Sequence, residues 1–340
     1  MKGLIGGNRY FSPCAALLAT SAALFSGGAW ADWYNDGKVL ATGGVSMTDG
    51  AGGGGITPWA TITGYDTRDG INGDLHLTYV NLPNYALNSL GGAVGLWDRV
   101  ELSYSNDTLT TGSTFNTVGL AGSLTGGLPI GNATPGVDPW NTTIKMDVFG
   151  AKVRVFGEAI YDSDNLIPQI AVGGFYKKNR NEVLLKTLQA TKSKDWEAYV
   201  AATKIFFPIN TLFNLTLRYT AANQTGLVGF GGPNGDKKEV RPEASVAYLL
   251  NDRTAIGAEY QKHGHNLDGQ SVNLNGVNLG GVGPVIGTSA LTQKESDWYD
   301  AFVAFFPSKN LSITMAYAML GNITLTPNQT GYYISLQASF

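Results

Sequence analysis

The sequence predicts an all-β protein: a single closed antiparallel transmembrane β-barrel of about 14 strands, with 12 and 16 as the neighbouring even counts. Three observations predict it. Apolar and polar residues alternate with a period of two along most of the chain, which gives strands with two unlike faces. The connections between those strands alternate between short and long, as in barrels whose turns are tight at one end and extended at the other. Mean hydropathy is −0.04, and beyond residue 31 no apolar run approaches the roughly 20 residues of a spanning helix. An alternating barrel wall averages out in this way.

Residues 1–31 carry Lys2 and Arg9, then an apolar stretch from Ala15 to Phe25, then Ala29-Trp30-Ala31. A basic start, a short apolar core and small residues at the cut are the pattern of a secretory signal peptide. The core is too short for a membrane anchor. Cleavage after Ala31 leaves 32–340 as the barrel. The only cysteine, Cys14, lies in the removed segment outside any lipoprotein pattern, so the remainder has no thiol. Losing Lys2 and Arg9 makes it more acidic than the whole chain, whose net charge is −3. That disfavours a nucleic-acid partner.

Fourteen segments read as strands: 38–47, 56–66, 73–82, 85–97, 99–107, 144–158, 166–178, 194–206, 213–222, 239–250, 254–263, 296–306, 311–320 and 331–340. The pattern is clearest where Leu75, Leu77 and Tyr79 oppose Asp74, His76 and Thr78, and where Phe213, Leu215, Leu217 and Tyr219 oppose Asn214, Thr216, Arg218 and Thr220. Leu102, Val153, Leu217, Ile256, Ile313 and Leu336 are assigned to the outward apolar band. Tight turns fall at Asp98, at Asn251-Asp252 and at 307–310, whereas 108–143, 179–193, 223–238 and 264–295 are long. Pro83-Asn84 is short where a long loop is due. A soluble β-sandwich also has many strands, but it does not need an apolar outward face on nearly every one.

The run Gly50-Ala51-Gly52-Gly53-Gly54-Gly55 satisfies a dinucleotide-binding glycine spacing only by accident, because Pro58 and strand-like sequence follow instead of a helix. A flexible loop or a close backbone approach explains it better. Pro58, Trp59 and Tyr65 suit an aromatic girdle at the membrane interface. Of the three histidines, His76 falls on a lumenal face, while His263 and His265 close a strand near the long-loop rim. With Asp268 alone nearby they make a poor zinc set, and no metal or cofactor is expected. Paired with Glu239 or Ser271, His263 would suit a hydrolase, though nothing in the spacing fixes that pairing.

Charged residues on lumenal faces form the strongest polar signal. Glu101, Lys152, Arg154, Arg218, Glu239, Arg241, Glu243, Glu259 and His263 are the residues expected to line the lumen. Pairing about a turn at Asn251 would set Glu239 against His263 and Glu243 beside Glu259. Either a salt-bridged filling or a transverse field along a path is consistent with charges of both signs.

The chain ends on a strand whose outward face is Tyr332, Ile334, Leu336, Ala338 and Phe340, against Tyr333, Ser335, Gln337 and Ser339. An aromatic final residue on such a strand is how bacterial outer-membrane barrels finish, and the likeness implies recognition by the barrel-assembly machinery, with Tyr332, Ile334, Leu336 and Phe340 as its signal. Gly43-Gly44-Val45-Ser46, Leu96-Trp97-Asp98-Arg99-Val100-Glu101-Leu102, Gly150-Ala151-Lys152-Val153-Arg154 and Pro168-Gln169-Ile170-Ala171-Val172-Gly173 resemble a proteobacterial family of unknown function, domain of unknown function 3034. Its members are presumed to form outer-membrane barrels, and it supplies no catalytic residues. The expected function is therefore a non-enzymatic outer-membrane channel or binding barrel for a small hydrophilic solute, with residues 108–143 long enough to fold inward and narrow it. The alternatives are a hydrolase or lipid-modifying enzyme using His263, or a closed structural barrel whose outer loops bind a partner. Outer-membrane lipid, the assembly machinery and a small solute are the expected partners.

Overall fold

Alternation along each segment and short turns between neighbours leave antiparallel pairing as the way to satisfy every strand's backbone groups. The computed structural model describes residues 39–65, 70–112, 143–162, 165–270 and 293–340, all within the compact unit Asp36–Phe340. The wall is made of β3 (Ile71–Asn81), β4 (Ala86–Leu96), β5 (Val100–Thr110), β6 (Thr143–Phe156), β7 (Gln169–Asn179), β8 (Lys194–Phe206), β9 (Thr211–Thr220), β10 (Glu239–Asn251), β11 (Thr254–Gln261), β12 (Trp298–Ser308), β13 (Leu311–Ile323) and β14 (Thr326–Ser339). Each pairs antiparallel with its sequence neighbours, and β14 pairs with β3 to close the ring. Among the described residues helix is confined to short pieces, the longest being α1 (Glu182–Thr187).

Twelve strands, not fourteen, form this closed barrel. The twelve segments expected from 73 onward are all wall strands, with ends shifted by a few residues. The two earlier segments, 38–47 and 56–66, are where the expectation fails. There the described chain forms only a two-residue ladder, β1 (Val45–Ser46) against β2 (Gly52–Gly53), and nearly every residue from 41 to 65 is buried. Trp59 and Tyr65 are buried with it and belong to no interfacial girdle. Residues 1–31 and 113–142 lie outside the described residues.

Outward positions carry the apolar band. Leu102, Val153, Leu217 and Ile256 are exposed large apolar residues, and Ile313 and Leu336 are half-exposed on the same exterior. A protein in water does not present such a continuous band, whereas a barrel in a bilayer must. Turn chemistry fixes one end: Trp97 and Asp98 both have positive φ, 53° and 49°, the conformation of a two-residue hairpin turn that matches strand twist. At the seam, Phe340 exchanges backbone hydrogen bonds with Gly73 at 2.9 and 2.7 Å. The Phe340 ring occupies the space a side chain at residue 73 would need. The aromatic terminus thus seals the barrel's closure over a glycine.

Candidate functional site

Residues 39–65 enter the lumen from the short-turn end, where Val39 donates its N–H to the Tyr161 hydroxyl at 3.2 Å, and return to β3 after Tyr65. This inner segment has few strand partners of its own, so its backbone polar groups must find partners on the wall. Two carboxylates accept four of its N–H groups. Glu101 of β5 accepts the N–H groups of Gly52 and Thr63 at 2.9 and 2.8 Å and pairs with Lys152 of β6 at 2.9 Å. Lys152 in turn donates to the carbonyls of Gly52 and Trp59. Glu259 of β11 accepts from the N–H groups of Gly55 and Ile56 at 2.6 and 2.9 Å, and from the hydroxyls of Thr57 and Ser245.

Further wall side chains complete the clasp. Gln337 accepts from Ser46 N–H at 2.9 Å, Asp74 takes the hydroxyls of Ser46 and Thr63, Thr203 accepts from Ala60 N–H, and Gln169 and Thr216 donate to the carbonyls of Ala60 and Pro58. The glycine run is explained by this contact. A side chain at residue 54 would collide with the Glu259 carboxylate, and one at residue 55 with the Tyr333 hydroxyl. Close backbone approach, not nucleotide binding or looseness, is what the run serves.

A second charged network sits above the clasp. Lys177 of β7 pairs with Asp49 at 2.8 Å and Glu197 at 3.2 Å, and Arg218 of β9 pairs with Glu243 at 2.5 Å, Glu197 at 3.1 Å and Asp49 at 3.3 Å. Both cations lie over the Phe175 ring, 5.5 and 5.4 Å from its centroid. With cation and anion numbers nearly matched and every group at most 3% exposed, the network is a salt-bridged filling.

The residues read from sequence as lining the lumen therefore divide by position. Glu101, Lys152, Arg218, Glu243 and Glu259 are buried inside the barrel in the two clusters above. Arg154 lies lower, at the short-turn rim, bound to Asp98, Glu158 and the Gly157 carbonyl. Burial alone would raise the Glu158 carboxyl's pKa, but Arg154 beside it holds it below its ordinary value. Glu239 stands at the long-loop rim, 57% exposed, and accepts from Arg241 at 2.9 Å.

His263 does not meet Glu239. Among the described residues its ring makes no bond to a carboxylate and instead reaches Gln261 Oε1 at 3.2 Å, stacking on Trp298 at 4.6 Å between centroids.

 The imidazole's hydrogen bond is thus to an amide, while its backbone N–H donates to Asp297 at 2.9 Å. Burial, then the nearby Arg241 guanidinium, pushes the imidazole pKa well below its ordinary value. The sequence-based pairing is displaced because the turn lies at Asp252-Arg253 and an irregularity between Leu249 and Asn251 shifts the register, setting Glu243 opposite Gln261 and Glu259 opposite Ser245. His265 points elsewhere and pairs with Asp268 at 2.8 Å.

Sequence reasoning placed Asp74 on the lumenal face with His76 but missed Asp49, Lys177 and Glu197, although the alternation around Phe175-Tyr176-Lys177 and Trp196-Glu197 marks the last two as inward. It also missed an apolar region in the long-loop half of the lumen, on the side of β3 to β5, β12 and β13. Val80, Leu87, Leu109, Trp298, Leu320 and Ile323 point inward from the upper ends of their strands, and Leu227 and Val228 descend from the connection between β9 and β10. They enclose a cavity of about 40 Å³ above Ile56 of the inner segment. Gln224, which borders it with Thr48 and Tyr333, accepts from Trp298 Nε1 at 2.9 Å. The surface facing the cavity is apolar, and an apolar cavity stays dry.

The family model described as "Protein of unknown function (DUF3034)" matches residues 42–337. The chain belongs to this family. No curated protein matches the chain. Among solved structures it is similar to the KdgM porin, with 10% identity and a TM-score of 0.42 over 78% of this chain and 99% of that one. It is similar also to the NanC porin, with 9% identity and a TM-score of 0.42 over 79% and 98%. The outer membrane phospholipase of Salmonella typhi, a dimer with bound calcium, gives 10% identity and a TM-score of 0.37 over 81% and 92%. No residue role is carried over from any of them.

Proposed function

We propose that this family member is an outer-membrane barrel that binds a small molecule and admits it past an internal plug, without catalysing a reaction on it. The observation that carries the reading is the construction of residues 39–65. Hydrogen bonds to wall side chains hold the segment, and ladder pairing does not, so water and a moving charge can replace its bonds one at a time. The dry cavity directly above it favours a solute with an apolar body, in place of the wholly hydrophilic one expected from the charged lumen. At about 40 Å³ the cavity is smaller than the roughly 150 Å³ that accommodates benzene, so entry requires the 221–238 connection to lift.

The hydrolase reading has less support, because the His263 ring meets Gln261 and Trp298. The apolar seal over the mouth favours a closed structural barrel as the second reading. Export through residues 1–31 and recognition of the outward Tyr332, Ile334, Leu336 and Phe340 by the assembly machinery belong to the same proposal. The test is thermal unfolding of the refolded barrel with toluene or decane, against glucose or acetate. Toluene or decane should raise the unfolding temperature, and Leu87→Asn should abolish the rise. A rise with glucose alone would overturn the solute class, and no rise with any probe would favour the closed barrel.

A further inference from the structure

On the exterior, at the long-loop end of β5 to β8, the strand registers assemble a layered surface. Tyr104, Phe149, Tyr176 and Trp196 stand directly opposite one another across four strands, and all are exposed. Such a row marks the level where amphipathic rings meet the membrane interface. Two residues further along each strand the outward row changes chemistry, to Asn106, Asp147, Lys178 and Lys194. At about 3.4 Å per residue and a tilt near 45°, this row stands roughly 5 Å farther from the membrane centre than the rings. That is head-group height.

Lys178 and Lys194 are directly opposite in register, and like charges in that relation repel. Neither forms an ion pair among the described residues, and nor does the neighbouring outward Lys145. The nearest acid of the row, Asp147, is already taken by Arg180 at 2.6 Å and by the Tyr104 and Asn106 side chains. Lys238 rests over the Trp196 ring at 4.3 Å and binds Asp195, adding a further cation to the rim. Glu182 is within electrostatic reach of Lys194 but is paired with Lys186 at 2.6 Å, so the two lysines, set just above an aromatic row, present positive charge to an anion.

We propose that this sector is a binding site for a lipid with a phosphorylated head group, whose phosphate lies between Lys178 and Lys194 while its acyl chains pack on the aromatic row beneath. The apolar row is what distinguishes a lipid from a free anion here. Each lysine near a membrane surface is worth about 1 kcal/mol toward an anionic head group, or about fivefold in affinity, so losing both weakens binding about 25-fold.

The experiment is native mass spectrometry of the full barrel titrated with a diphosphorylated glycolipid, with its dephosphorylated form, and with inorganic phosphate. The wild type should retain the phosphorylated lipid, and K178T/K194T should bind it about 25-fold more weakly. Lys262→Thr, outside this sector, should change nothing. In uncharged detergent the double variant should unfold no earlier than the wild type, since a repulsion has been removed. Equal lipid affinity of wild type and double variant would overturn the proposal. So would equal affinity for the dephosphorylated lipid, or inorganic phosphate displacing the lipid at equal concentration.

Discussion

The two halves of the lumen are built on opposite principles. In the short-turn half, charged wall residues face an inner segment whose own backbone is the partner they need. In the long-loop half, on the side of β3 to β5, β12 and β13, apolar side chains from the wall and the connections meet one another around an apolar cavity, beside the network of Lys177 and Arg218 carried by β7 to β10. The polar half can be opened stepwise, because each hydrogen bond lost to water costs little when water replaces it. The apolar half resists water and yields to an apolar guest. Specificity is therefore expected in the upper half and gating in the lower.

Breaking the polar half should give the largest effect. Glu101→Ala leaves Lys152 buried without its carboxylate and two backbone N–H groups without acceptors. Removing one partner of a buried pair costs about 3–5 kcal/mol, and hydrogen exchange at Gly52 and Thr63 should accelerate accordingly. Unchanged exchange would show that the carboxylate does not hold the segment. Leu227→Ala in the apolar half should cost about 2–5 kcal/mol, read as a lower unfolding temperature with the exchange of Gly52 unaltered. If both variants loosened both halves equally, the division would be false.

The smallest effect sharpens the comparison at the long-loop rim. Glu295 is buried and accepts from Gln224 and Leu267, and burial raises its pKa from 4.5 to about 7. A raised acid favours the protonated folded state. Its contribution is fully present below about pH 4.5 and is lost as pH rises through about 7, an effect on the order of 3 kcal/mol. Unfolding of the wild type should therefore ease between these limits, and Glu295→Gln should flatten that dependence. A slope of the opposite sign would rule out this acid as its source.

How much of this was legible in the sequence follows from what each residue faces. A wall strand has lipid on one side and lumen on the other, so Leu215, Leu217 and Tyr219 alternate with Thr216 and Arg218 and announce themselves. The inner segment meets the wall on all sides. Thr57, Ile62 and Tyr65 are buried alike, leaving no two-face pattern, and β-rich composition alone made it resemble two further strands. The glycine run pointed to close approach, but its partner, Glu259, lies about two hundred residues away in sequence. Alternation placed Glu101, Lys152, Arg218, Glu243 and Glu259 inside, yet their partners depend on the register irregularity after Leu249 and on Asp49 from the inner segment, which no strand pattern carries.

The claim that residues 39–65 close the lumen is tested most directly by planar-bilayer conductance of the refolded full barrel against a variant lacking those residues, with folding of both checked by heat-modifiable migration. The full barrel should be nearly silent and the deletion variant should conduct steadily. Equal steady conductance in both would contradict the account, as would a folded deletion variant that stays silent.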